Sequence, residues 1–149
     1  MRKIKLFDIA SILLLIVNVS LIAFGLIYAI RGELMPYHLE YLGITPAEII
    51  SFNPTLLNFA NMSIRLVGFL FLSCGVIFVI VWYVGFRKKL KWAFLAILVS
   101  GSLIIIPLFL VILTVAGFNF PFPIGLICLI LWIVSMVISG FEIFILGKK

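Results

Sequence analysis

Groups that carry chemistry are scarce in this sequence. Its 149 residues include five acids, one histidine and two cysteines. No paired carboxylates at one depth, Ser–His pair or His/Glu metal set can be assembled from them, so nothing supports an intramembrane enzyme. A metal centre usually takes three or four ligands. His38 has only Glu33 and Glu40 near it in sequence, so we expect neither a metal nor a cofactor. Cys74 and Cys128 lie in separate apolar runs without a C-x-x-C, and read as small buried thiols, not as a disulfide or redox pair. Internal repeats are also lacking, which leaves an inverted-repeat transporter without support.

What fills the chain is hydrocarbon: 66% of its residues are hydrophobic and 11% charged. A soluble domain of this size could not cover so much apolar surface. Four runs reach the length of about 20 residues that a helix needs to cross a bilayer: 9–30, 57–84, 92–117 and 124–146. They do not alternate apolar and polar residues as barrel strands do. The first run is too long for a signal peptide and has no small-x-small site after it, so it should stay as a helix. The expected fold is a single all-α domain over 1–149. It is a four-transmembrane-helix bundle, with one or two short interfacial helices at 33–53.

The net charge of +6 is sorted along the chain. Arg2, Lys3 and Lys5 precede the first run, Arg87, Lys88, Lys89 and Lys91 join the second to the third, and Lys148 and Lys149 close the chain. Arg31 and Arg65 alone fall on the other side. This is a positive-inside pattern with both termini cytoplasmic in a cell membrane. Lipid headgroups satisfy such a belt, and no nucleic-acid partner is implied. Asp8 and Glu142, near helix ends on the basic side, are expected to form salt bridges there.

On a helical wheel the small and polar residues of each run gather into a stripe. The stripes are Asp8, Ser11, Asn18 and Gly25; Asn58, Asn61, Arg65, Gly68, Leu72 and Gly75; Ala93, Ser100, Pro107 and Thr114; and Gly125, Cys128, Trp132, Ser135, Ser139 and Glu142. Such stripes make helix–helix seams in membranes. Pro107 should kink the third span.

The segment LMPYHLEYLGITPAEIISFNP, residues 34–54, interrupts the hydrocarbon. Thr45, Pro46 and Glu48 spell a capping box with proline at the first helical position, and Asn53-Pro54 spells a second helix start. We expect an amphipathic lid at the membrane boundary. Below it Arg65 lies about a third of the way into the second run, where an arginine costs about 2.5–3.5 kcal/mol. Three explanations stand. Arg65 pairs with Glu33, Glu40 or Glu48 and pins the lid; or it floors a ligand pocket walled by Asn58 and Asn61 and roofed by His38 and Glu40; or it snorkels to the headgroups.

The pieces MPYH (Met35–His38) and IRLVG, which holds Arg65 and Gly68, resemble a pattern of small four-helix integral membrane proteins of prokaryotes, over about residues 9–90. The resemblance implies four membrane helices with a short re-entrant or interfacial segment between the first two. It implies no activity, and it points to Met35, Pro36, Tyr37, His38, Arg65 and Gly68. The leading functional expectation is a non-catalytic accessory or self-associating membrane subunit, in a homo-oligomer or larger complex and bathed in membrane lipids. The alternative is a small transporter, channel or lipid-binding protein using the pocket around Arg65.

Overall fold

The computed structural model describes residues 6–145. Arg2, Lys3, Lys5, Lys148, Lys149 and the last position of the expected fourth span lie outside the described residues. Every regular element among those described is helical. In order they are α1 (Leu6–Arg31), α2 (Pro36–Leu42), α3 (Pro46–Phe52), α4 (Pro54–Val84), a 3-10 turn (Phe86–Lys88), α5 (Lys91–Val111) continued by a π-helical stretch (Ile112–Ala116), and α6 (Pro121–Phe144). Four of these helices are long and apolar enough to cross a membrane.

Helix boundaries follow local chemistry. The Thr45 hydroxyl accepts from the Glu48 amide at 3.3 Å, and the Glu48 carboxylate accepts from the Thr45 amide at 2.7 Å, which closes the capping box of α3. Asn53 Oδ1 caps α4 by accepting from the Thr55 amide at 2.9 Å. Gly43 ends α2 at φ 65°, a left-handed conformation that glycine adopts without a Cβ penalty.

The bundle is built on α1. A Cβ added at Gly68 would lie 2.3 Å from the Ala29 amide nitrogen, and one at Gly25 would lie 2.4 Å from that of Leu72. The backbones of α1 and α4 therefore touch, which only glycine permits. Away from this contact, polar groups bond across seams. Trp82 Nε1 donates to the Ser11 carbonyl at 2.8 Å, joining α4 to α1. On another side of α1, the Ser135 hydroxyl donates to the Ala10 carbonyl at 2.7 Å and fixes α6. α5 then packs on α6, where Gly101 lies against the Trp132 indole and Phe94 meets Phe144 edge-on at 5.5 Å.

The expected stripes of α1, α4 and α6 hold at their centres: Ser11, Asn18, Gly25, Gly68, Gly75, Trp132, Ser135 and Ser139 are buried. That of α5 does not. This helix buries Ala93, Phe94, Ile97, Gly101 and Ile105, while Ser100, Pro107 and Thr114 are exposed. The Thr114 hydroxyl explains how an exposed polar residue is tolerated: it donates to the Leu110 carbonyl one turn back, at 2.8 Å. A hydroxyl satisfied by its own helix need not face a neighbour.

Packing is uneven along the bundle axis. Phe7, Phe86, Ala93, Phe94, Met136 and Ile143 make a solid core at the end where the 85–90 turn lies. There Gly85 sits against Ala93 and Trp92, so α4 and α5 meet. Lys89 Nζ and Glu142 form a salt bridge at 2.8 Å across that end, as the sequence suggests for Glu142. Asp8 is exposed in the first turn of α1 at the same end. Toward the end covered by α2 and α3, the lid end, α4 and α5 are separated by a cavity.

Gly68→Ala is expected to lower the melting temperature in detergent by the equivalent of at least about 1–3 kcal/mol, the usual cost of overpacking. Val137→Ala, at an exposed site, should stay within about 0.5 kcal/mol of the parent. A thermal shift series on both variants checks this.

Candidate functional site

The cavity has a volume of about 540 Å³, inside the range of about 300–1,000 Å³ that small-molecule sites occupy. On α1 its wall runs from Val17 to Tyr28, roughly 16 Å at about 1.5 Å rise per residue. That is slightly more than half of a hydrocarbon core about 30 Å thick. α4 contributes Ile64, Val67, Phe71 and Phe78, and α6 contributes Gly125 and Cys128. α5 contributes Leu103, Pro107 and Phe109, followed by Ile112 and Ala116 of the π-helical stretch. Val67, Leu70, Leu103, Pro107 and Val111 line the cavity and are exposed, so it opens sideways between α4 and α5.

Polar groups sit at two levels. Asn18 lies deep; it is 2% exposed, and its amide N–H₂ has no hydrogen-bond partner. Ser20 of α1 and Cys128 of α6 also line the cavity, and the Ser20 hydroxyl donates to the Ile16 carbonyl of its own helix at 2.9 Å. The second level is the lid. The Tyr28 and Tyr37 hydroxyls hydrogen-bond to each other, and the Tyr37 and His38 rings lie 4.3 Å apart. His38 Nδ1 accepts the Met35 amide proton at 3.0 Å, which caps α2 and leaves the proton of the neutral imidazole on Nε2. His38, which lines the cavity, therefore carries a free donor on Nε2.

Burial sets the ionisation of the lid. It holds the His38 pKa below its ordinary value. It also raises that of the Tyr37 phenol, and the hydrogen bond to Tyr28 raises it further. Glu48, outside the cavity, is lowered by the Thr45 backbone and hydroxyl bonds of its capping box.

The lid is held on both sides. The Leu34 amide donates to Asn61 Oδ1 at 3.2 Å, which fastens its start to α4. At the far side, Asn119 Nδ2 donates to Glu40 Oε2 at 3.2 Å, and α2 rests on the π-helical stretch.

Of the residues expected to form one polar pocket, His38 lines the cavity, whereas Arg65, Asn58, Asn61 and Glu40 do not. No ion pair joins Arg65 to Glu33, Glu40 or Glu48 among the described residues. The guanidinium instead lies on Gly32, where a Cβ would come within 2.1 Å of Nε. Gly32 follows the last residue of α1, whose terminal carbonyls carry partial negative charge that favours a cation. Glu48 is engaged by Thr45, Glu40 by Asn119 and Asn61 by Leu34, while Glu33 and Asn58 are exposed.

Sequence reasoning placed Asn18 in a packing stripe and gave Tyr28 no role. A polar side chain at mid-membrane depth was the available signal. The chain matches no family model, no curated protein and no solved structure.

Acid should loosen the lid. The folded state resists protonating His38, so between pH 6.5, its ordinary value, and its lowered folded pKa the unfolded lid binds more protons. Lid stability is complete above that window and is lost as the pH falls through it. Tyr28 and Tyr37 are the other titratable groups against this ring. Hydrogen exchange of residues 35–42, corrected for intrinsic rate, should quicken from pH 7.5 to 5 in the parent and not in His38→Gln.

Proposed function

We propose that this protein is a non-catalytic membrane protein that holds a lipid-like molecule in the cavity between α4 and α5. One observation carries this reading: a laterally open apolar cavity into whose wall a buried, unpartnered amide is set. Leaving a buried polar group unpaired costs about 1–3 kcal/mol, and leucine there would fill the same space without that cost. A packing role leaves the hollow half of the bundle unexplained, and a molecule that enters from the membrane and fills the hollow with hydrocarbon against the wall that holds Asn18 accounts for it.

In this reading the lid end lies on the outer side of a cell membrane. The cationic turn Arg87–Lys91 and both chain termini lie on the cytoplasmic side, following the bias of basic residues. Helices α2 and α3 rest in the outer interface. Their exposed Tyr41, Leu42, Ile50 and Phe52 suit a boundary between water and lipid. The cavity then draws on the outer leaflet.

Native mass spectrometry from a mild detergent should find the protein carrying lipid-sized adducts. Cys128→Phe, which fills the cavity from α6, should reduce their occupancy by about tenfold, equivalent to about 1.4 kcal/mol, with little change in melting temperature. Absence of adducts, or equal retention by a folded Cys128→Phe variant, overturns the reading.

A further inference from the structure

The lining carries a second message, about charge, which rests on the binding reading above. We propose that the cavity selects an uncharged amphiphile: a long hydrocarbon chain bearing a neutral hydroxyl or carbonyl oxygen, in preference to a fatty acid anion, a phosphate-bearing lipid or a cationic chain. No Asp, Glu, Lys or Arg contributes to the wall. The charged groups around the lid, Arg31, Glu33, Glu40, Glu48 and Arg65, are all exposed, outside the cavity. Arg31 Nη1 points to Met35 Sδ at 3.8 Å, Arg65 lies on Gly32 and Glu40 is bonded to Asn119.

An ion drawn into such a space would lose its hydration and find no opposite charge, a cost of many kcal/mol that no hydrocarbon contact offsets. A neutral oxygen meets a suitable set of partners. At the lid, the Tyr28–Tyr37 pair uses one hydroxyl hydrogen internally and keeps the other to donate, and His38 Nε2–H is a second donor. At the deep end Asn18 is part of the wall, with its unpaired amide nitrogen buried behind the surface. Between the two levels the walls are Leu21, Phe24, Phe71, Leu108 and Phe109, which suit a chain.

The test uses the full chain in lipid nanodiscs with three photoreactive probes sharing one diazirine-bearing hexadecyl chain: the alcohol, the alkyl sulfate and the alkyltrimethylammonium. The alcohol is expected to label cavity residues of α1, α4 and α5 saturably, at least about tenfold more than either ion. Asn18→Leu should reduce that labelling several-fold while raising the melting temperature of the unloaded protein, because it removes an unpaired amide; a merely structural asparagine would lower the melting temperature instead. Tyr37→Phe, at the lid, supplies a second variant that should reduce alcohol labelling. Equal saturable labelling by all three probes overturns the selectivity and leaves the binding reading standing. Preferential labelling by the sulfate overturns it in favour of an anion site served by Arg31 and Arg65. Failure of every probe to label the cavity saturably removes both readings.

Discussion

Backbone contact between α1 and α4 governs the rest of this molecule. Where Gly25 and Gly68 face each other's helices there is no room for a single methyl group, so the two axes are held as closely as helices can be. In lipid, burying hydrocarbon gives no advantage over leaving it in the bilayer, and association rests on close van der Waals packing and a few bonds between helices. α1 uses both: Gly25 toward α4, and the Ala10 carbonyl toward Ser135 of α6. It is the most deeply packed of the four long helices.

The hollow follows from that arrangement. α5 packs mainly on α6, and it meets α4 at the short turn where Gly85 rests on Ala93 and Trp92. Beyond the turn nothing draws the two helices together. α5 has no glycine facing α4, and the hydroxyls of Ser102 and, in the π-helical stretch, Thr114 are satisfied by the carbonyls of Leu98 and Leu110. Pro107 removes a helical hydrogen bond, and the helix widens into a π-helical stretch at Ile112–Ala116. Widened turns of this kind recur at functional sites, and this one supports α2.

The fold was legible because its signals are either very long or very local. Four apolar runs name the spans, and the Thr45–Glu48 and Asn53 caps fix the ends of α3 and α4 to the residue. The seams were legible where glycine or a bonded serine marks them, as at Gly68 and Ser135. They were not legible on α5, because a serine or threonine looks the same in sequence whether it bonds across a seam or back to its own helix. Of the three readings of Arg65, the pair with a lid acid does not occur among the described residues, for a related reason. Distance along the chain put three carboxylates within reach, but each of Glu40 and Glu48 has a nearer partner, and the end of α1 supplies diffuse negative charge without any acid. The cavity itself could not be read at all. It arises from two helices failing to meet, and a sequence records contacts far better than gaps.

The bond between Asn119 and Glu40 ties α2 to the connection between the π-helical stretch and α6. On the near side the cover is continuous with α1 through the main chain; on the far side it is latched by two exposed side chains. The latch is thus the weaker edge of the cover: surface water can undo it while the attachment to α1 keeps its place.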